Sequence, residues 1–191
     1  DLGSFTSKIS VAKRGGVEVI TNEANFRETP CVVGYGPTER HIGESGNIKM
    51  KSNFKDTVTY PGRFLGLSSE YPFLKAEQKF CPAKCIAKDD KIAFQVKYQG
   101  QAESLYPEQV FAAYLNKLRT IVEKNNFDSK SAVVAVPTYY TQQERKAVLN
   151  AAKIAELNVV RLINESTAIA LDYGIFRKND LDADTPRTVL F

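Results

Sequence analysis

Ala132-Val133-Val134-Ala135-Val136-Pro137-Thr138-Tyr139-Tyr140-Thr141-Gln142-Gln143-Glu144 is the stretch that decides the fold. Its apolar half runs unbroken from Ala132 and is closed by Pro137, the pattern of a strand buried on both faces of a sheet. Thr141 and Glu144 then have the spacing of a capping box. The threonine accepts from the backbone N–H of Glu144 while the glutamate reaches back to that of Thr141. In the helix that opens there, Ala147, Val148, Ala151, Ala152 and Ala155 point inward, and Arg145, Lys146, Asn150 and Lys153 point to water. A buried strand followed at once by a capped helix indicates an α/β fold.

The flanking segments extend this pattern. Downstream, Val159-Val160-Arg161-Leu162-Ile163 reads as a second strand. A short helix starts at Ser166 or Thr167 and is stopped by Gly174. Asn179 to Thr185 is acidic and polar, a surface loop, and Arg187-Thr188-Val189-Leu190-Phe191 reads as a last strand. Upstream, Pro107 suits a helix first turn, and Val110, Tyr114, Leu118, Ile121 and Val122 share one face. Asn125-Asn126 can end that helix in the left-handed region.

The N-terminal part is a strand pair. Ile9 and Val11 alternate with polar neighbours, Arg14-Gly15-Gly16 turns the chain, and Val17 and Val19 return. A third strand, Cys31-Val32-Val33, enters through Thr29-Pro30 and ends at Gly34, Gly36 and Pro37. From about Thr38 to Tyr106 periodicity weakens, apart from the alternating strand Ile92–Tyr98 and the turn Gln99-Gly100. The expected organisation is a core of residues 1–37 and 107–191 with a mixed sheet, and a small α+β subdomain inserted at 38–106. Both ends look cut through strands, so the chain reads as a fragment of a longer protein.

Composition narrows the function. The 191 residues are 43% apolar and 25% charged, with 26 basic against 22 acidic residues and a net charge of +4. That is an ordinary globular mixture, without the Lys/Arg runs expected of a nucleic-acid binder. No stretch of about 18 apolar residues suggests a membrane span. The cysteines Cys31, Cys81 and Cys85 are odd in number and lack a disulfide framework, which favours reduced thiols in a reducing compartment. Cys81 and Cys85 with the lone His41 fall short of the four ligands of a zinc site.

Three places could carry chemistry. In Asp1-Leu2-Gly3-Ser4-Phe5-Thr6-Ser7, an acidic residue is followed by glycine and small hydroxyls. Such a turn can aim backbone N–H groups at phosphate while the aspartate holds hydrated Mg²⁺, and it can equally be a plain hairpin turn. Val136 to Thr141 is a ligand edge or simple packing. Asn164-Glu165-Ser166-Thr167 sets a carboxylate at the C-terminal end of a strand, where α/β ligands gather, or else caps a helix. A G-x-x-x-x-G-K-[ST] loop is absent, Gly34-Tyr35-Gly36-Pro37 is no dinucleotide fingerprint, and no Ser-His-Asp or Cys-His constellation can be argued from the lone His41.

Together these segments resemble the nucleotide-binding domain of the seventy-kilodalton heat-shock chaperones, over nearly the whole chain. The resemblance is carried by Asp1-Leu2-Gly3, Asn22-Glu23 through Thr29-Pro30, Thr38-Glu39-Arg40-His41-Ile42-Gly43, and Tyr106-Pro107-Glu108-Gln109-Val110. The longest match runs from Ala135 through Tyr140 to Leu157–Ala168 and ends near Tyr173-Gly174. It implies an actin-like ATPase fold (ribonuclease H-like), of which this chain is the first lobe. In that family Asp1 and Glu165 would hold Mg²⁺ through water, and the backbone of Gly3, Ser4 and Phe5 would touch the phosphates of ATP or ADP. Pro137 would be the switch of an interdomain relay with Arg145 as its partner.

The departures are equally specific. Ser4 and Phe5 stand where the family has two threonines, Gly62 where it has its catalytic lysine, Glu156 where it has a glycine, and Ser166 where it has a proline. With Gly174-Ile175-Phe176, these departures resemble the larger hundred-and-ten-kilodalton relatives, which exchange nucleotide on the smaller chaperones and hold unfolded polypeptides. The resemblance thus implies ATP binding with weak or absent hydrolysis, a seventy-kilodalton chaperone as partner, and a cytoplasmic or else endoplasmic-reticulum setting. Two other readings stay open. One is an active ATPase chaperone in which Arg63 or Lys55 supplies the missing charge; the other is an interaction module that no longer binds nucleotide.

Overall fold

The computed structural model describes residues 1–177 and 188–191. In chain order the elements are β1 (Thr6–Ser7), β2 (Ile9–Lys13), β3 (Gly16–Ile20), β4 (Thr29–Pro30), β5 (Val32–Tyr35), β6 (Arg40–Ile42), α1 (Glu44–Lys49) and β7 (Thr57–Thr59). Then come α2 (Leu74–Glu77), β8 (Lys84–Lys88), β9 (Lys91–Tyr98), β10 (Gln101–Leu105), α3 (Pro107–Lys124), β11 (Ser131–Val136), α4 (Gln142–Ile154), β12 (Asn158–Asn164) and α5 (Glu165–Phe176). Short 3₁₀ turns occupy Phe54–Asp56, Pro61–Phe64 and Gln78–Phe80.

The expected mixed α/β class holds. β2 and β3 form the antiparallel hairpin, with Ile9 opposite Ile20, and β8, β9 and β10 form an antiparallel meander. β11 and β12 run parallel, with Val136 opposite Asn164. β5 pairs with both β6 and β7, so one three-stranded sheet joins residues on both sides of the expected boundary at residue 37.

The core is continuous across these sheets. Val33, Val58, Phe64, Phe94, Val110, Tyr114, Val136 and Ala151 all belong to it. α3 crosses the core because its apolar face recurs at helical spacing, and it buries Val110, Phe111, Tyr114, Leu115, Leu118 and Ile121. Tyr114 is 0% exposed, and its hydroxyl meets its buried-donor requirement by donating to the Thr29 carbonyl at 2.8 Å. α4 packs against α3 through Ala147, Val148, Ala151 and Ala152, small side chains that let the helices approach closely.

Four expectations need correction. Val133 is 59% exposed, so β11 is covered on one face only; it lies in a two-stranded sheet whose other face, with Val160 at 66% exposure, is open among the described residues. Gly174 does not stop α5, which runs through it to Phe176; Gly174 is not at positive φ and so is merely a weak helix residue. The helix also begins one residue earlier than expected, at Glu165 with Asn164 as its N-cap. Thr188–Phe191 form no strand, because they gain no partner edge; Phe191 packs edge-on against Tyr173 at 5.6 Å. The expected loop Asn179–Thr185 lies outside the described residues. No helix among the described residues is long and apolar enough to cross a membrane.

Two backbone positions carry opposite strain. Gly66 has φ +70, and a Cβ there would stand 2.8 Å from the Glu144 nitrogen. Glu156 has φ 55 at the end of α4, where Leu157 N–H bonds the Ala152 carbonyl at 2.9 Å and Glu156 N–H bonds that of Lys153 at 3.1 Å. These two bonds make a Schellman termination, whose left-handed residue is ordinarily glycine. Gly66→Ala should therefore cost about 3 kcal/mol, combining left-handed strain with overpacking. Glu156→Gly should gain about 1 kcal/mol. Urea-unfolding midpoints of both variants check this; equal shifts in the same direction would refute the assignment.

Candidate functional site

The opening bend is built by close backbone approach. Lys8 N–H donates to the Asp1 carbonyl at 3.0 Å, and Leu2 and Ser7 bridge antiparallel. A Cβ on Gly3 would lie 2.5 Å from the Thr6 carbonyl oxygen, so only glycine fits there. Below the bend, Cys31 holds it from two sides: its N–H donates to the Phe5 carbonyl at 2.9 Å and its thiol to the Gly3 carbonyl at 3.3 Å. The carbonyls are thus used; Gly3 N–H is turned toward Thr6 in the Leu2–Ser7 bridge, whereas the N–H groups of Ser4 and Phe5 donate to nothing among the described residues. Successive free N–H groups in a tight bend are a donor set of the kind that receives phosphate oxygens.

The bend lies at the carboxyl end of the parallel pair. Leu2 N–H donates to the carbonyl of Ala135, next to last in β11, at 3.3 Å. Val136 is paired with Asn164, so buried Pro137 and Glu165 follow side by side at that edge. Thr138 and Ser166 hydroxyls meet at 3.1 Å across it. Burial lowers the pKa of the Asp1 amino group, Glu165 pulls it back up and Lys8 adds to the lowering, so Glu165 lies within electrostatic reach of that amino group. Among the described residues no three His, Cys, Asp or Glu side chains gather as a bare-metal site. Two carboxylates at such an edge suit Mg²⁺ that keeps its waters.

A side-chain strap ties this edge to the loop holding Gly62. Tyr140 donates its hydroxyl to the Gly62 carbonyl at 2.7 Å. Arg145 donates from Nε to the Tyr140 carbonyl at 3.0 Å and from Nη2 to Asn164 Oδ1 at 2.7 Å. Arg145 is thus a half-buried clamp, not a solvated residue like Lys146 on the same helix. Burial is the main cause that raises the Tyr140 hydroxyl pKa, with Glu165 among the neighbouring charges that add to it. Phe5 packs edge-on against Tyr60 at 4.6 Å, a second link between bend and loop.

The cations near Gly62 are engaged elsewhere. Arg63 binds Glu77 through Nε at 2.6 Å and Nη2 at 3.1 Å, and stacks over Phe80 at 4.8 Å. The Glu77 hydrogen bond raises the Arg63 pKa further. Lys55 lines a different groove, with Pro82, Gln95 and Lys97.

Asp1, Gly3, Ser4, Phe5, Pro137 and Glu165 are brought to one edge, and Arg145 and Gly62 are bonded to it through Tyr140 and Asn164. No pattern in the sequence marks Tyr140, Asn164 or Glu77 for these roles. The only signal is a polar or aromatic residue at a strand end, which is common to many turns.

Comparison with known proteins identifies the family. A family model described as Hsp70 protein matches residues 1–191. The chain is 39% identical to a heat shock protein homolog of Lachancea kluyveri, over 100% of this chain and 28% of that protein. It is 40% identical to heat shock protein 110 of Caenorhabditis elegans, over 100% of this chain and 25% of that protein. It is 37% identical to a 97 kDa heat shock protein of Strongylocentrotus purpuratus, over 100% of this chain and 22% of that protein. The chain therefore spans about a quarter of the length of these relatives.

Arg145→Met keeps the length of the side chain and removes both clamp bonds. It should cost about 2 kcal/mol, since hydrogen bonds to a charged donor are each worth roughly 1.5–3 kcal/mol and part is recovered by solvent. Thermal unfolding checks this; an unchanged midpoint would show that the strap is ornamental.

Proposed function

The chain belongs to the Hsp70 family, and on that premise we propose that it supplies the first lobe of an ATP-binding chaperone that hydrolyses ATP weakly or not at all. The observation that carries this reading is the bend itself. Ser4 and Phe5 offer free N–H groups beside Gly3, at the edge to which Asp1 and Glu165 are both brought. Asp1 and Glu165 would hold Mg²⁺ through water, and the backbone of Gly3, Ser4 and Phe5 would touch phosphate. The bound ion would supply the positive charge that ties the phosphates to these carboxylates. Pro137 and Arg145 would pass the state of this edge to the rest of the protein through the Arg145–Asn164 bond.

Weak hydrolysis follows from the charges around Gly62. Phosphoryl transfer in such sites is mostly positioning and electrostatic stabilisation. A lysine at residue 62 would offset developing negative charge, and glycine cannot. Arg63 is occupied by Glu77 and Phe80, which argues against the rival reading of a fully active ATPase. Losing one charged contact of this kind costs about 3 kcal/mol of barrier, on the order of a hundredfold in rate.

The likeness to the larger relatives supports a role in nucleotide exchange on a seventy-kilodalton chaperone, with unfolded polypeptides held by other parts of the protein. A cytoplasmic setting is the compartment we infer, on the three free thiols. The chain on its own would bind ATP weakly, because contacts from the other side of the cleft are missing.

Two measurements on the full-length protein test the proposal. In nucleotide titration, Gly3→Ala should weaken ATP binding at least about tenfold, while a melting curve checks that the variant still folds. In single-turnover hydrolysis, the natural protein should be slow and Gly62→Lys faster. Equal ATP affinity in a folded Gly3→Ala protein, or ordinary chaperone turnover by the natural protein, would overturn it.

A further inference from the structure

Core burial does not explain Phe5. Its ring is 54% exposed, yet it is fixed edge-on to Tyr60 with ring centroids 4.6 Å apart. Main-chain bonds through one residue set this contact. Cys31 N–H donates to the Phe5 carbonyl at 2.9 Å, and Tyr60 N–H donates to the Cys31 carbonyl at 2.8 Å, so Phe5 and Tyr60 flank Cys31. Tyr60 is half-buried against the core and has φ 53, a strained conformation for a tyrosine, where it leads into the 3₁₀ turn Pro61–Phe64. On the far side of that turn, Tyr140 holds the Gly62 carbonyl, and a first side-chain carbon at residue 62 would stand 3.5 Å from the Tyr140 hydroxyl and 3.6 Å from Phe111. The bend and the Gly62 loop are therefore joined by a pair of rings, and residue 62 itself sits among aromatic groups.

We propose that Phe5 is a second determinant of slow hydrolysis: with Tyr60 it closes the gap between the phosphate bend and the Gly62 loop and keeps water from the terminal phosphate. The inference rests on the reading of this edge as a nucleotide site. Hydrolysis needs a water oxygen to attack the terminal phosphorus while the bond to the departing ADP oxygen breaks, and it needs that water held in place. The Phe5 side chain has no donor or acceptor with which to hold one. The free N–H groups of Ser4 and Phe5 belong to the main chain, so phosphate would be received by backbone beside an apolar ring. The ring therefore acts on turnover, and a positive charge at residue 62 is worth only part of its usual effect while the ring excludes the water it would act on. Slow hydrolysis then has two separable causes, the missing charge at Gly62 and the aromatic screen at Phe5.

Single-turnover hydrolysis by the full-length protein, with ATP and Mg²⁺ saturating, tests this on the natural chain, Gly62→Lys, Phe5→Thr and the double variant. Threonine at residue 5 removes the ring and supplies a hydroxyl that can hold a water. The Cys31 bond to the residue 5 carbonyl is a main-chain bond and survives the exchange. Gly62→Lys alone should gain less than about tenfold, and the double variant should be about tenfold faster again, more than the product of the single gains. Phe5→Gln combined with Gly62→Lys is a second variant without the ring and should move the rate in the same direction, should the threonine protein fail a melting-curve check. Phe5→Tyr combined with Gly62→Lys keeps the ring and should stay within about threefold of Gly62→Lys alone, which separates the screen from a general loosening of the bend. Equal rates for Gly62→Lys and the variants without the ring would overturn the proposal, as would equal acceleration by tyrosine and threonine at residue 5. A natural protein that binds no ATP would remove the reading of the edge and this proposal with it, an outcome distinct from equal rates among proteins that do bind.

Discussion

The guanidinium of Arg145 fixes the relation between the two strand ends on which the candidate site depends. Among the described residues β11 and β12 are a two-stranded parallel pair, whose C-terminal exits would otherwise be free to splay. Arg145 stands on α4, which is locked at its start by the Thr141–Glu144 box and at its end by the Schellman bonds at Glu156. From that rigid base it bonds the turn after β11 and the residue capping α5 at once. Asn164 in turn sets where Glu165 begins its helix. The position of the carboxylate is thus inherited from a helix cap more than one helical turn away.

Electrostatics at this edge is unbalanced by construction. Arg63 is neutralised by Glu77, and Arg145 spends its donors on a carbonyl and an amide. Asp1 and Glu165 make no ion pair of their own among the described residues. Carboxylates gathered at one edge repel unless a cation or a proton intervenes. A hydrated dication between them and the free N–H groups of the bend would satisfy both demands together: positive charge for the carboxylates and anionic oxygens for the donors.

Much of this was legible in the residues, and the failures share a cause. Helix α3, the α4 box and the hairpin at Gly15-Gly16 are specified by local spacing, so a reader of the chain finds them. The exposure of Val133 is not local; it depends on how many layers cover a sheet, which an apolar run cannot reveal. Gly174 illustrates the same limit, because glycine stops a helix only where the chain must turn left-handed. The left-handed turn of α4 falls instead on Glu156, a residue no propensity would choose. The strap from Gly62 through Tyr140 to Asn164 spans sequence separations of 78 and 19 residues in its first and last bonds, and no periodicity reports such contacts.

Space distinguishes glycines that the fold requires from one it does not. Gly3 and Gly66 would each drive a Cβ into backbone at 2.5 and 2.8 Å. Gly62 is different: a Cβ there would meet the Tyr140 hydroxyl at 3.5 Å and Phe111 at 3.6 Å, ordinary contact distances, and its φ is not positive. Packing at the first carbon therefore leaves room for a side chain at the position where the family has its lysine. The glycine at residue 62 is thus not imposed by how the loop is folded. The same loop carries the bond to Tyr140 through its Gly62 carbonyl, so its backbone geometry is set independently of any side chain at that position.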